Sequence, residues 1–367
     1  MKVIKSSIIY DNPLPQLKSK QALFPSLAEL SDGTVAAVYA LGEAMESVDQ
    51  RSVISFSQDG GETWSEPYDI YDKSSYSCPV SEGSKITALS DGSLISIGYG
   101  FERKDESLPI GNPKTGGLLD DFIFISRSTD GGKTFSKLEK VDSKMSPHAE
   151  ASAPITVLKN GDLITPITAF PDWDGNMHSE MCGRALYSSD GGKSWSDDAV
   201  CMRFSSGKIT CYEQRMCQLE SGAIIDIAWC EDTESGKRLP NHFTASFDGG
   251  KTWTAPESTG ILGQASSVCS IGGEKFIAIH AVRRDTERPG IYGYIVDFSE
   301  RKWNIVDELL LWEPNTPVMR DSKMADIFAF LKFGQPSAIL LSDGDLLMTH
   351  WYFDAGQYKT VATRIEL

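Results

Sequence analysis

Apolar runs separated by small glycine turns recur along the whole chain. One pattern occurs six times: an apolar residue, a short polar turn with glycine, and a second apolar run, as in LSDGTVAAVYA and LSDGSLISIGY. The turn glycines lie roughly 60 residues apart, and they are Gly33, Gly92, Gly161, Gly222, Gly273 and Gly344. Each copy predicts two antiparallel strands joined by a tight turn. The period is about one sixth of the chain, so the sequence predicts six similar units.

A second turn, with two adjacent glycines, recurs four times. Its copies are SQDGGETW at 57–64, STDGGKTF at 128–135, SSDGGKSW at 188–195 and SFDGGKTW at 246–253. Gly60 and Gly61 permit positive φ, and Asp59 can accept hydrogen bonds from the amides of its own turn. Trp64 then begins the next strand. Because four copies cannot all be one active site, we interpret this turn as scaffolding.

The two turns alternate in a fixed order. Each unit reads strand, first turn, strand, loop, strand, second turn, strand, which is typical of a propeller blade. The fifth unit has FSERKW at 298–303 in place of the glycine pair, and the last unit has only three strands after Gly344. A strand at 3–11 can supply the missing fourth and remove an exposed edge. The sequence therefore predicts an all-β, six-bladed β-propeller whose last blade is closed by the N-terminal strand.

Other architectures fit the pattern less well. A sandwich of short strands would not produce a sixfold register, and no composition shift marks a second module, so we expect one domain over 1–367. One segment, SKMADIFAFLKF at 322–333, predicts a helix. Met324, Ile327, Phe328 and Leu331 would share one face of it. We interpret this segment as a helical insertion packed on the propeller.

Composition and charge exclude several classes of function. No run of 18 apolar residues occurs and the first residues do not resemble a signal peptide, so we expect a cytoplasmic protein without a membrane partner. Seven cysteines without a CxxC pair predict reduced thiols. The net charge of −16 disfavours nucleic acid, and an anionic ligand would need a local cationic cluster. No metal-ligand spacing, phosphate loop or dinucleotide fingerprint is present, so no cofactor is expected.

The SxDGGxTW turns on a sixfold propeller resemble the Asp-box, or BNR, repeats of the sialidase (neuraminidase) superfamily. The resemblance covers almost the whole chain. It implies that the boxes lie on the outer rim and that the active site lies across the propeller from them. It also implies exo-acting hydrolysis of a terminal sugar.

The catalytic motifs of that family match only in part. EQRMCQL at 213–219 resembles the motif whose glutamate activates a tyrosine nucleophile, which places Glu213 in that role. ALFPSL at 22–27 resembles the motif that supplies a substrate-binding arginine, but Leu23 stands at the arginine position. Trp229 stands where a second arginine is usual, and Ala265 where the tyrosine is usual. An alternative clamp for a carboxylate would use Arg215, Arg283, Arg51 or Lys85.

The resemblance implies an acid/base carboxylate in the loop at 41–52. Glu43, Glu46 and Asp49 are the candidates, and the motif does not choose among them. Glu213 with Asp49 or Glu46 would provide two carboxyl groups facing each other across the funnel. A separation of about 5 Å would imply retention of configuration, and about 6.5 to 9.5 Å inversion.

Further polar and aromatic residues are candidates for ligand binding. The first strand of each blade should start near the central funnel, which would direct its early polar residues toward a ligand: Glu82, Lys85, His148, Glu150, Glu213, Arg215, Gln264 and Gln335. His280, which ends a predicted strand, could act as an acid or base, as could His148. Trp173, between two aspartates in a long loop, could stack on a sugar ring.

Three functions therefore remain open at the level of sequence. The first is an exo-glycoside hydrolase with a carbohydrate substrate, whether acidic or neutral. The second is a carbohydrate-binding propeller that lacks catalytic machinery, which the missing tyrosine and arginines favour. The third is a lyase that uses His148 or His280 as a base on a uronic acid.

Overall fold

The described part of the chain is built from β-strands arranged in six antiparallel sheets. A computed structural model describes residues 1–284, 286–315 and 332–367. Each sheet has four principal strands that follow one another from the centre outward. The prediction of an all-β, six-bladed propeller is confirmed.

The blades follow the chain in order, and their strands are as follows. Blade one holds β2 (Gln21–Glu29), β3 (Val35–Gly42), β4 (Arg51–Ser57) and β5 (Tyr68–Asp69). Blade two holds β6 (Val80–Ala88), β7 (Leu94–Glu102), β8 (Asp121–Ser128) and β9 (Glu139–Val141). Blade three holds β10 (Ala149–Glu150), β11 (Thr156–Val157), β12 (Leu163–Ala169), β13 (Gly183–Ser188) and β14 (Ser196–Met202).

The second half of the ring repeats the arrangement. Blade four holds β15 (Tyr212–Gln218), β16 (Ile224–Asp232), β17 (Lys237–Ser246) and β18 (Glu257–Ser258). Blade five holds β19 (Ser266–Gly272), β20 (Lys275–Val282), β21 (Gly290–Asp297) and β22 (Asn304–Trp312). Blade six holds β23 (Phe333–Leu340), β24 (Leu346–Asp354), β25 (Gln357–Glu366) and β1 (Lys2–Tyr10).

Both ends of the chain contribute to blade six. β1 pairs antiparallel with β25, from Lys2 opposite Glu366 to Tyr10 opposite Thr360. Ile9 of β1 is buried in the apolar cluster between blades six and one. The N-terminal strand therefore completes the last blade, as the sequence predicts, and covers an edge that would otherwise be open.

The apolar core is divided among the interfaces between neighbouring blades. A buried cluster lies at each of the six interfaces. Between blades one and two, for example, Ile54 packs with Leu94 and Phe124. Both faces of each sheet are therefore buried against the neighbouring blades, which accounts for the long apolar runs in the middle strands.

The four glycine-pair turns have one common geometry. In the first turn, Ser57 Oγ donates to Asp59 Oδ1 at 2.7 Å and accepts from the Gly61 amide at 2.8 Å. The Asp59 carboxylate accepts from the amide of Thr63 at 2.9 Å. Gly60 and Gly61 have φ of 69° and 92°, which side chains rarely adopt. The bonds from Thr63, with those from Ser57 and Glu62, lower the pKa of Asp59.

The predicted helix at 322–333 falls mainly outside the described residues. Of this segment, only Lys332 and Phe333 are described, and Phe333 is the buried first residue of β23. Within the described ranges, no helix is long and apolar enough to cross a membrane.

Candidate active site

The innermost strands of blades one, four and six share an irregularity close to their starts. The pairing register shifts between Leu23 and Ser26 in β2, between Tyr212 and Arg215 in β15, and between Gly334 and Ser337 in β23. Each shift contains a residue with left-handed backbone, and these are Phe24 (φ 56°), Glu213 (φ 48°) and Gln335 (φ 47°). Such a conformation costs a non-glycine residue about 1 to 3 kcal/mol. Bulges of this kind redirect side chains next to functional sites.

The bulges of blades four and six bring their side chains together. Gln335 Nε2 donates to Glu213 Oε1, and Trp229 Nε1 donates to Glu213 Oε2 at 2.8 Å. Gln335 is oriented in turn, because its Oε1 accepts from Trp351 Nε1 at 3.0 Å. Two uncharged donors therefore fix both oxygens of the Glu213 carboxyl group, and each oxygen keeps a second lone pair for a ligand.

A second carboxyl group lies next to Glu213. Glu150 is buried, its Oε2 accepts from the Glu213 amide at 3.1 Å, and its Oε1 accepts from the hydroxyl of Ser152. Burial raises the pKa of Glu150, and the charge of Glu213 raises it further, although Ser152 and Arg215 oppose this. The pKa of Glu150 is raised to about 7, so this carboxyl group can keep a proton near neutral pH.

Three buried cations lie around these carboxyl groups. Lys85 Nζ donates to the carbonyl of Phe24 at 2.7 Å. Burial lowers the pKa of Lys85 to about 7; the charge of Arg215 adds to this, while Glu213 and Glu150 oppose it. Arg215 Nη1 donates to Ser152 Oγ at 3.1 Å. This is the local cationic cluster that an anionic ligand would require in so acidic a protein.

Arg283 completes the group of cations. Its Nε donates to the side-chain oxygen of Gln264 at 2.9 Å, and its Nη1 donates to the carbonyl of Phe333 at 2.7 Å. Burial lowers the pKa of Arg283 to about 10, while the nearby charge of Glu213 opposes the shift. The guanidinium is therefore held in a fixed orientation next to Glu213. We call Glu213, Glu150, Lys85, Arg215, Arg283 and Gln335 the funnel floor.

An arc of aromatic rings runs along one side of the funnel floor. Tyr99, Phe170, Tyr212 and Trp229 follow one another, with ring centroids 6.2, 6.2 and 5.2 Å apart. Burial raises the pKa of Tyr99 well above its ordinary value, and the charges of Glu150, Glu46 and Glu213 raise it further. Tyr99 is therefore close to all three carboxyl groups. Sequence analysis missed it because it lies in β7, the second strand of its blade.

In the loop of blade one at 41–52, the carboxyl groups of Asp49 and Glu46 have different surroundings. Asp49 Oδ1 accepts from the Glu43 amide at 2.9 Å and from Ser47 Oγ at 2.6 Å. Burial opposes ionisation of Asp49, but these bonds, with the charges of Arg51 and Lys20, outweigh it and lower the pKa. Glu46 is half-buried and burial raises its pKa to about 7, against the influence of Arg103. Glu46 can therefore keep a proton near neutral pH, whereas Asp49 stays ionised and orders the loop.

Three predicted site residues have their contacts elsewhere. Arg51 Nε donates to Asp69 Oδ1 at 2.7 Å, and Glu82 is buried with its Oε1 accepting from the Ser52 amide at 2.8 Å. His280 is fully buried, with Nδ1 lying 3.2 Å from Asn241 Nδ2, and burial lowers its pKa to about 3. Their observed partners are side-chain and backbone groups outside the funnel floor.

Two other predicted residues lie together on neighbouring loops. The His148 ring stacks on His178 with centroids 5.4 Å apart, and its Nε2 is 3.7 Å from Asp120 Oδ1. Trp173 lines a cavity of about 380 Å³ that Asp120 also lines. The structure therefore places His148 and Trp173 near a cavity outside the funnel floor.

Metal-binding clusters and disulfides are not seen in the described ranges. No group of three or more histidine, cysteine, aspartate or glutamate side chains there could hold a metal ion. All seven cysteines, which lie within those ranges, are free thiols.

The sequence matches no protein-family profile and no curated protein. A protein of unknown function from Dyadobacter fermentans is similar over 100% of this chain and 99% of its own, with 21% identity and a TM-score of 0.77. The Hadza microbial sialidase Hz136 is similar over 94% of this chain and 65% of its own, with 16% identity and a TM-score of 0.67.

A third similar structure covers the full length of both proteins. The intramolecular trans-sialidase from Ruminococcus gnavus, in complex with oseltamivir carboxylate, matches 100% of this chain and 98% of its own. The identity is 16% and the TM-score is 0.63. Similarity at this level of identity establishes the architecture alone. This chain therefore has a sialidase-like six-bladed propeller fold.

Proposed function

We infer that the protein is a glycoside hydrolase that removes a terminal anionic sugar from a glycan. The observation that carries this inference is the Glu213 carboxylate, which Trp229 and Gln335 hold on the funnel floor among buried cations. The backbone there is left-handed at both Glu213 and Gln335, and strain of this kind is concentrated at active sites.

The cations suggest how such a sugar would be recognised. Lys85 lies in blade two, Arg215 in blade four and Arg283 just after the second strand of blade five, and all three are buried. Charge-assisted hydrogen bonds from such groups are about twice as strong as neutral ones. They would hold a sugar carboxylate in the position that the usual arginines of sialidases serve. The total charge of −16 makes this cluster the part of the described structure best suited to an anion.

The carboxyl groups suggest how the bond would break. Glu46, with its pKa raised to about 7, is suited to donate a proton to the glycosidic oxygen. Glu213 would supply the carboxylate that stabilises positive charge on the sugar ring in the transition state. Because Glu46 comes from blade one and Glu213 from blade four, the two groups would act from different sides of the substrate.

A panel of aryl glycosides tests this proposal most directly. The purified protein should release the aryl group from an acidic sugar, such as an α-sialoside or a uronide, and Glu213→Gln should abolish the release. Activity only on neutral sugars would contradict anion recognition by the funnel floor. Equal turnover by Glu213→Gln and the unmodified protein would remove Glu213 from the mechanism.

A carbohydrate-binding propeller without turnover is the second candidate. Both oxygens of Glu213 already accept hydrogen bonds from the protein, and Ala265 stands where the tyrosine nucleophile of sialidases is expected. Calorimetry with the free acidic sugars distinguishes the two functions. Binding that is weakened by Lys85→Met, together with no release from any aryl glycoside, would favour the binding protein.

A further inference from the structure

Lys85 is held on the funnel floor by main-chain groups rather than by a carboxylate. Its side chain extends from β6, and Nζ donates to the carbonyl of Phe24 at 2.7 Å and to the carbonyl of Pro25 at 3.4 Å. Within the described ranges, Glu213 and Glu150 act on Lys85 through their charges and not through a hydrogen bond. The proton of the ammonium group is therefore not fixed by an ion pair.

The two carbonyl groups match the donors of a neutral amine. An ammonium group has three N–H donors, whereas a neutral amine has two and keeps one lone pair. The carbonyls of Phe24 and Pro25 can accept both N–H bonds of the neutral form, so its lone pair stays available. A desolvated lysine with an available lone pair is a nucleophile toward carbonyl carbon.

The surroundings of Lys85 favour this neutral form. The residue is 6% exposed, and burial lowers its pKa to about 7. The charge of Arg215 lowers the pKa further, while the charges of Glu213 and Glu150 oppose the shift. A lysine of ordinary pKa is neutral in only roughly 1 molecule in 2500 at pH 7. A large fraction of Lys85 is therefore nucleophilic at a pH where an ordinary lysine is not.

The neighbours of Lys85 supply the other groups that imine formation needs. The pKa of Glu150 is raised to about 7, so its carboxyl group can give a proton to a departing hydroxyl group. Arg215 and Arg283 are buried cations of the same floor, and they would bind a carboxylate beside the reacting carbonyl. The ligand that fits all four side chains is an anion that also carries a carbonyl group.

We propose that Lys85 is a nucleophile that forms an imine with an anionic aldehyde or 2-oxo acid, including the open-chain form of an acidic sugar. The Nζ lone pair attacks the carbonyl carbon, and the carbonyl oxygen takes the proton of Glu150. Glu150 recovers a proton from the nitrogen and gives it to the new hydroxyl group. The C–O bond breaks, water leaves, and the C=N bond of a protonated imine forms.

This chemistry goes beyond the proposed hydrolysis. It rests on the proposed function only for the binding of an anion at the funnel floor, and it needs no oxidant, reductant or second reactant. An acidic sugar released by hydrolysis would itself be a ligand of this kind, because its open-chain form has a carbonyl group.

Reduction of the imine with cyanoborohydride tests the proposal without requiring hydrolysis. The unmodified protein is incubated at pH 7 with glyoxylate, an anionic aldehyde, and the reductant, and the labelled lysines are located by peptide mass spectrometry. Lys85 should be labelled about 100-fold faster than exposed lysines such as Lys133 and Lys193, because much of its amine is neutral. The exposed lysines of the same sample are the control, so this measurement depends on no variant.

Glycolaldehyde, which lacks the carboxylate, measures the contribution of the arginines. It should label Lys85 about tenfold more slowly than glyoxylate does, relative to the exposed lysines, because a charge-assisted contact is lost. Arg283→Gln should slow labelling of Lys85 by glyoxylate about tenfold for the same reason. Arg203→Gln is the matched control and should not change it, since Arg203 is exposed and paired with Glu180 at 2.6 Å.

The outcomes separate this proposal from the proposed hydrolase. Labelling of Lys85 no faster than that of the exposed lysines overturns the imine, even if the protein hydrolyses acidic glycosides. Equal labelling of Lys85 by the two aldehydes overturns the anionic class of ligand. A Lys85 adduct in a protein that releases nothing from any aryl glycoside retains the imine and contradicts the hydrolase.

Discussion

The four glycine-pair turns join the outermost two strands of their blades, and we call them the rim turns. The rim turns and the funnel floor meet the same backbone requirement in opposite ways. Each rim turn needs left-handed residues and has glycine there, whereas the bulges of blades one, four and six place Phe24, Glu213 and Gln335 in the same region of φ. The rim aspartates are exposed and bonded within their own turns, and their pKa values are lowered. On the floor, burial raises the pKa of Glu150, and its contacts join different blades. Glycine therefore serves in the four glycine-pair turns, where only the chain path matters, and the bulges keep strained side chains where chemistry is available, although Arg301 and Ala355 are also left-handed in ordinary turns.

The strongest test of this contrast removes one charge from the floor. Glu213→Gln keeps the shape of the side chain but loses the carboxylate, so turnover should fall about 1000-fold with little change in the melting temperature. Glu62→Gln is the matched rim control, because Glu62 is exposed and paired only with Lys5 at 2.7 Å. Steady-state kinetics on the best aryl glycoside give the comparison. A similar loss in both variants would contradict a special role for the floor.

The proton donor can be tested by varying the leaving group. With Glu46→Gln, hydrolysis of a glycoside with a poor leaving group should fall about 100-fold, whereas a dinitrophenyl glycoside should be nearly unaffected because it needs no proton. The acid must be protonated, and Lys85 loses its charge over the same range, so kcat/KM of the unmodified protein should fall as the pH rises through about 7. The part of this fall that Glu46→Gln removes is the part due to Glu46.

Asp49→Asn separates the two carboxyl groups of this loop. It should preserve the fall in kcat/KM above pH 7, because Asp49 is already ionised there. If Asp49→Asn removed the fall in kcat/KM above pH 7 and Glu46→Gln did not, the assignment of the two residues would be reversed.

Charge selection should depend on Lys85. Lys85→Met should raise KM for an acidic sugar about tenfold and leave KM for a neutral analogue unchanged, because one charge-assisted contact is lost. Arg203→Met serves as the control, since Arg203 is exposed and bonded to Glu180 at 2.6 Å. Equal effects of Lys85→Met on acidic and neutral sugars would show that Lys85 acts through the fold, by its bond to the Phe24 carbonyl.

The smallest expected effect on activity comes from the rim. Ser57→Ala leaves the buried Gly61 amide without its acceptor, so the free energy of unfolding should fall by about 1 to 2 kcal/mol. Adding Ser188→Ala, which removes the same bond in another blade, should double the loss because the sites are distant. Urea unfolding measures both, and turnover should not change. Loss of turnover in the folded double variant would mean that the rim does contribute to the site.

The fold could be predicted from sequence because its signals are local and repeated. Turn glycines such as Gly33 and Gly61 report positive φ directly, and their spacing reveals the blades. Even the blade that lacks a glycine pair turns between β21 and β22, where Arg301 takes φ of 58°. The closure of blade six followed from counting strands.

The site was less accessible to sequence analysis, because it depends on bulges and on contacts between distant residues. Glu213 was found through a motif, but nothing local shows that Gln335 and Trp351 orient it. Tyr99 lies inside an ordinary strand, and no local feature of the sequence shows that its neighbours include Glu150, Glu46 and Glu213. His280 has the expected residue type, yet the strand register places it in the interior beside Asn241.

The left-handed residues at the three bulges also bear on protein engineering. Methods that improve thermostability often exchange a strained residue for glycine, and each of the three bulge positions would be selected on backbone grounds alone. Relief of the strain would gain about 1 kcal/mol or more per site. The same exchange would delete the side chains of Phe24, Glu213 or Gln335. A stabilised variant designed without knowledge of the site would therefore be expected to fold better and to bind and turn over its ligand worse.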